Sequence, residues 1–187
     1  TLVNEGVVPN LLFPFASKYN TSETIIIPPN INIRMDAPLN YTGGLNIPCL
    51  VIGETGKSIM GNSYDLQIER DSLSDWLNDD SIGVKIINAN QCEITIRKAV
   101  NFTLGAQLIG SSGGFAYNNI YLTYVHGNKI GVDLTNELSG WCNENNFFGG
   151  RFNNYAQYNS SKDRFGVRIT SKDSSYTNNN NNVFYKP

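Results

Sequence analysis

The sequence predicts an all-β chain built of repeats, and three observations carry that reading. The first is composition: aromatics make up 11% of the 187 residues and charged residues only 16%. Beta-branched residues, Gly and Asn dominate over the Ala, Glu, Lys and Leu that build helices. The second is a series of short runs that alternate apolar and polar residues between Gly- and Asn-rich turns. The third is self-similarity, in which one short pattern returns along most of the chain.

Taken in order, residues 1–20 read as an irregular lead-in. The segment Glu23–Tyr41, "ETIIIPPNINIRMDAPLNY", holds a strand, a Pro-Pro turn and a second alternating run. It is expected to seal the N-terminal end of a stack that would otherwise expose its core. Residues 1–48 are therefore lead-in and cap, and residues 49–187 are about five coils. The first coil pairs Cys49–Gly53 with Tyr64–Ile68. "SIGVKI" (Ser81–Ile86), "TLGAQL" (Thr103–Leu108), "KIGVDL" (Lys129–Leu134) and "RFGVRI" (Arg164–Ile169) then share one pattern. Their glycines Gly83, Gly105, Gly131 and Gly166 stand 22, 26 and 35 residues apart, so the repeat is structural with loops of varying length. Each run is followed by a partner: Cys92–Ile96, Asn118–Leu122, Asn145–Phe148 and Asn181–Tyr185. Paired short strands repeating with no helix between them fit a parallel β-helix, with about 4.8 Å between coils.

That register makes columns. Val84, Ala106, Val132 and Val167 form one inward column; Ile86, Leu108, Leu134 and Ile169 form a second; Ile94, Ile120, Phe147 and Val183 form a third. Two positions earlier stand Cys92, Asn118, Asn145 and Asn181. Inward amides are costly unless each bonds its neighbours, which a stacked Asn ladder achieves. Lys85, Gln107, Asp133 and Arg168 are expected outward, with Asp133 and Arg168 as a surface ion pair. Tyr121, Phe148 and Phe184 fall in one outward column that reads as a subunit interface ahead of a sugar platform.

A net charge of −2 advertises no nucleic-acid partner. The three cysteines, Cys49, Cys92 and Cys142, are too few and too widely spaced for a disulfide framework or a zinc site, and read as buried free thiols. No apolar run reaches membrane-helix length, and no signal peptide is visible. The chain starts without Met and stops after "NVFYKP", which reads as a piece of a longer protein.

Chemistry-bearing residues are sparse. His126, in "YVHGNK", reads as a solvated turn residue, and "GSSGGF" (Gly110–Phe115) as a flexible turn rather than a phosphate cradle. No cofactor and no metal are expected. The acidic loop Arg70–Ser81, with Asp71, Asp75, Asp79 and Asp80, lacks regular calcium-ligand spacing. Carboxylates are the only candidate catalytic groups, because glycoside hydrolysis needs two close together. The candidates are Asp133, Glu137 and Glu144, with Glu93 and Asp173 nearby. For sugar binding the useful groups are flat aromatics beside amides and charges: Trp76, Trp141, Tyr117 and Tyr176 near one bend. Arg151, Asn154, Tyr155, Tyr158, Lys162 and Arg164 follow the other, with His126 and Lys129 a coil below. That second patch is basic enough to suit an anionic polymer such as a teichoic acid.

The segments "TIIIPPNINI", "LTNE" with "GWCNENNFFGGRF", and "NNNVFYKP" resemble those of bacteriophage tail spikes and tail appendages. The resemblance covers roughly residues 23–187. It implies a single-stranded, right-handed, pectate-lyase-like parallel β-helix, usually trimeric, located in the virion tail and adsorbing to a bacterial surface polysaccharide. The catalytic aspartate cluster and arginine of pectate lyases do not carry over. A polysaccharide depolymerase on the same scaffold, using paired carboxylates, and a purely structural shaft remain as alternatives.

Overall fold

The computed structural model describes residues 8–72, 79–153, 164–172 and 179–186. Within them every regular element is a β-strand and every strand pair is parallel. The strands form three faces. Face I joins Asn10–Phe13, Asn32–Met35, Ser63–Glu69, Glu93–Val100, Asn119–His126, Asn146–Arg151 and Val183–Tyr185 in that order, with Tyr19–Thr21 and Leu39–Tyr41 beside its first members. Face II joins Ile25–Ile27, Pro48–Ile52, Ile82–Ile87, Leu104–Ser111, Ile130–Glu137 and Phe165–Ser171. Face III is short: Ile59–Met60, Ala89–Asn90, Gly114–Ala116 and Trp141–Asn143. From Pro48 to Ser171 the chain visits faces II, III and I in recurring order, an arrangement consistent with a parallel β-solenoid.

Alternation in sequence becomes columns in space, because side chains leave a pleated strand on opposite sides in turn. Face II carries two inward columns. Ile25, Leu50, Val84, Ala106, Val132 and Val167 stand in register, as do Ile27, Ile52, Ile86, Leu108, Leu134 and Ile169. Face I adds Leu11, Ile33, Tyr64, Ile94, Ile120, Phe147 and Phe184. The middle members of all three columns are fully buried and form one continuous core. Cys49, Cys92 and Cys142 lie in it as free thiols.

Two expectations are corrected here. The last coil is shifted by one residue: Phe184, not Val183, stands over Phe147, with ring centroids 4.6 Å apart and planes 12° from parallel. Five consecutive asparagines precede Val183, so alternation gives no mark of which one turns the corner. At the other end, the irregular lead-in expected over residues 1–20 holds the strand Asn10–Phe13 and the start of Tyr19–Thr21, while Glu23–Tyr41 has the expected strand, Pro-Pro turn and second strand. Asn10–Phe13 pairs with Asn32–Met35, Tyr19–Thr21 with Leu39–Tyr41, and Ile25–Ile27 with Pro48–Ile52, so these segments lengthen the ladders.

The corner between faces III and I explains the asparagines. At each coil one residue takes the left-handed conformation: Gly61, Gln91, Tyr117, Glu144 and Asn181, with φ of 68°, 52°, 59°, 55° and 51°. The residue after it points inward, and in the later coils it is Asn118, Asn145 and Asn182, where Asn181 was expected. Asn118 Oδ1 accepts the Cys92 N–H at 2.9 Å, while its Nδ2 donates to the Ala89 carbonyl at 2.9 Å. Asn145 repeats this one coil on, accepting from the Asn118 N–H and Nδ2 and donating to the Phe115 carbonyl. Asn182 does the same for Asn145 and Cys142. The ladder lapses at Cys92, whose thiol donates to the Asn90 carbonyl instead. Asn62, between Cys92 and the register position of Ile31, donates its Nδ2 to Asn32 Oδ1 at 3.1 Å but keeps a buried Oδ1 with no partner.

Glycines of the repeat mark a second close approach. A Cβ on Gly105 would stand 2.6 Å from the Gly131 carbonyl oxygen and 2.7 Å from the Asn128 amide. Gly83 faces the Gly105 carbonyl and Phe102, and Gly131 faces the Gly166 carbonyl and Phe152, in the same way. A large corner side chain thus fills the space each glycine leaves.

Asn118→Leu strips partners from the Cys92 N–H, the Ala89 carbonyl and Asn145, and should lower unfolding free energy by about 2–4 kcal/mol in urea denaturation. Gly105→Ala should cost about 1–3 kcal/mol through overpacking. Gly44→Ala, where an added Cβ meets nothing within 4 Å, should be close to neutral in the same assay. Equal midpoints for the two glycine variants would contradict this account of the column.

Candidate functional site

Outward positions on face I carry the most unusual surface of the described residues. In register along the stack stand Arg34, Asp65, Thr95, Tyr121, Phe148 and Tyr185. Coil spacing matches ring-stacking distance, so aromatics at consecutive coils lie face to face. Tyr121 and Phe148 have centroids 5.0 Å apart with planes 16° from parallel, and Phe148 and Tyr185 are 4.9 Å apart at 8°. The ladder is open to solvent, with Tyr121 39% and Tyr185 47% exposed.

Polar groups flank the rings on both sides. Toward the corner, Asn119 and Asn146 form an outward amide pair, with Asn146 Nδ2 donating to Asn119 Oδ1 at 3.2 Å. Together with Tyr117, Glu144 and Asn181 they line a shallow hollow of about 650 Å³. Tyr117 and Glu144 reach it because they hold the left-handed corner positions, which swing their side chains clear of the core. On the other side, the Arg151 guanidinium lies 5.5 Å above the Tyr124 ring, a cation–π contact. Tyr124 in turn packs on His126, with centroids 3.9 Å apart.

This arrangement reorders the candidate residues. Tyr117, Glu144 and Arg151 border the aromatic ladder. Trp141 is exposed but belongs to face III, with its ring against Gly114. Trp76, Tyr155 and Tyr158 lie outside the described residues, as do Asp75, Asn154, Lys162, Asp173 and Tyr176. Asp133 pairs with Arg168 as expected, through contacts of 2.9 and 3.0 Å. It is not a surface group, however: its side chain is only 2% exposed, with Gln107 Nε2 at 3.5 Å and Thr170 Oγ1 at 3.4 Å. A buried carboxylate bound by a bidentate guanidinium offers no open face to a substrate. Glu137 is salt-bridged to Lys172 at 3.1 Å. Burial pushes its carboxyl up, but Lys172, Ser111 and Lys85 together outweigh that and hold it below the usual carboxylate range. A general acid needs the opposite shift.

Other readings change too. His126 is buried at the end of a strand rather than solvated in a turn. Gly110, Ser111, Gly114 and Phe115 are likewise buried, in strands on either side of a tight corner, so "GSSGGF" is not a flexible turn. In the acidic loop, Asp79 is buried against Arg70 at 2.6 Å and Asp71 binds Lys18 at 2.7 Å, which lowers the Asp71 carboxyl. Burial pushes the Cys49 and Cys142 thiols up to about 12, leaving them poor nucleophiles.

Sequence reasoning missed Tyr185, Asn119, Asn146 and Tyr124. The first was lost to the one-residue shift. A usable signal for the amides was present in the doublets Asn118-Asn119 and Asn145-Asn146, where the first member turns in and the second turns out. Comparison with known proteins found no matching family model, no matching curated protein and no matching solved structure, so the functional reading rests on this surface.

Burial holds the His126 imidazole below its ordinary value, reinforced by Arg151 and Lys98. The unfolded chain therefore takes up this proton first, near pH 6.5. Native stability contributed by neutral His126 should be complete above that pH and fall as pH drops through the lower folded value. Urea midpoints should decline from pH 7 downward through 6 in the wild type and decline less in His126→Gln. Parallel curves would show that this histidine does not couple to folding.

Proposed function

We propose that the chain is a carbohydrate-binding segment of a β-helical surface appendage, of the tail-spike kind, which adsorbs to a bacterial surface polysaccharide. In this reading the stack is a single-stranded, right-handed β-helix that assembles as a homotrimer on a virion tail. One observation carries the proposal: the solvent-open ladder Tyr121–Phe148–Tyr185, flanked by the Asn119–Asn146 amides and by Arg151. Flat rings suit the C–H faces of sugars, and amides and a guanidinium bond their hydroxyls. Binding without cleavage is favoured because Asp133 and Glu137 are both engaged by cations.

The same exposed rings favour a second reading, in which the ladder packs between subunits. One experiment separates the two. The chain is incubated with purified bacterial surface polysaccharides, including a teichoic acid, and retention, product size and oligomeric state are measured together. Retention of full-length polymer, weakened at least tenfold by Tyr121→Ala or Phe148→Ala with oligomeric state unchanged, is the expected result. Dissociation of the oligomer by those variants would make the stripe an interface. Shortened polymer would make the protein a depolymerase, with Glu144 as the first carboxylate to substitute.

A further inference from the structure

The N-terminal part of the same outer face holds a second hollow, of about 600 Å³, over the strands Asn10–Phe13, Asn32–Met35 and Ser63–Glu69. Its volume lies within the usual range for small-ligand sites. Asn10, Leu12, Arg34, Asp36, Asp65 and Arg97 supply its chemistry. Arg97 arrives there through a register irregularity. Ile96 pairs with Leu66 and Lys98 with Gln67, so Arg97 is the extra residue between them. From that position it reaches back over the two preceding coils, donating to Asp65 at 2.6 Å and to the Met35 carbonyl. Bulges often re-aim a side chain next to a site in this way.

Two guanidiniums and two carboxylates balance, and each cation already has its anion. Arg34 Nε donates to Asp36 Oδ1 at 2.8 Å, and Arg97 Nε donates to Asp65 Oδ1. Among the described residues the second oxygens of both carboxylates and the terminal nitrogens of Arg34 have no hydrogen-bond partner, and Asn10 uses only its Oδ1, for Asn32. Leu12 is 52% exposed beside them. Acceptors and donors thus alternate around an apolar patch with no net charge. An anionic ligand would meet two carboxylates and a cationic one two guanidiniums. A hydroxyl both donates and accepts, so vicinal hydroxyls match such a set.

We infer that this hollow is a second carbohydrate subsite, which takes a neutral sugar with vicinal hydroxyls. The inference rests on the glycan-binding reading of the aromatic ladder and deepens it. Asp65, Thr95 and Tyr121 stand in one register column, so the hollow and the ladder are about 10 Å apart along the stack at 4.8 Å per coil. One polymer chain spans both.

The test is an NMR titration of the 187-residue chain with methyl glycosides of glucose, galactose and mannose, and separately with glucuronate and inorganic phosphate. At least one neutral glycoside should shift the Leu12, Arg34 and Asp65 amides, and the two anions should bind at least tenfold more weakly. Arg34→Leu should weaken the glycoside response at the hollow at least tenfold without moving the Tyr121 and Phe148 responses, and Asp36→Asn should do the same. Unmoved amides at the hollow with every neutral glycoside, tighter binding of either anion, or wild-type affinity in both variants would overturn the inference. Shifts at the hollow without any at Tyr121, Phe148 and Tyr185 would leave this subsite standing and defeat the ladder as the glycan site. The reverse pattern would do the opposite.

Discussion

Amides set into dry corners join the later coils, from Cys92 onward, each to the next, and the rest of the molecule hangs on them. Where the chain turns from face III to face I, backbone groups of one coil face the core with no strand beside them. Asn118 and Asn145 satisfy them from the coil above, each through one carbonyl oxygen and one amide nitrogen. Asn128 repeats the device at the turn between faces I and II, accepting the Phe102 N–H and donating to the Ala99 carbonyl, both at 2.8 Å. Without these bonds each corner would bury unpaired polar groups, at a cost of about 1–3 kcal/mol apiece. With them, coil is fixed over coil and the inward columns close into a core.

The same register constrains the outside. On face II the middle of the outward column is consumed by structure: Gln107 and Asp133 are buried, and Arg168 is committed to Asp133. On face I the outward column stays open, and ring stacks on ring because each coil repeats the last. The proposed aromatic site and the charge-balanced hollow are two stretches of that one column. Their separation is set by coil spacing alone, without any loop whose conformation has to be specified.

Much of this was legible in the residues. The recurring Gly and small apolar pair marked face II, because Gly83, Gly105 and Gly131 meet backbone of the next coil and no other side chain fits. The Asn118 and Asn145 amides were legible because a polar residue two places before an inward Ile or Phe demands a partner. The last coil was misread because five asparagines in a row satisfy that rule equally well. His126 and Asp133 were misread for a different reason. Periodicity gives the side of a strand on which a residue stands, but not whether that side is covered. The hollow was invisible in the sequence, since Arg97 enters it through a one-residue irregularity that breaks the alternation. The aromatic ladder was half visible: Tyr121 and Phe148 stood out, while Tyr185 depended on the register of the last coil.

The most direct test of the central claim is hydrogen exchange of the asparagine side-chain amides, followed by NMR on the intact chain. If corner amides join the coils, the Nδ2 protons of Asn118, Asn128 and Asn145 exchange only through opening of the stack, about as slowly as the most protected backbone amides of face I. The outward amides of Asn119 and Asn146 exchange fast in the same sample. Rapid exchange at Asn118, Asn128 and Asn145, indistinguishable from that of Asn119, would mean that the corner amides are solvated and that something else holds the coils in register.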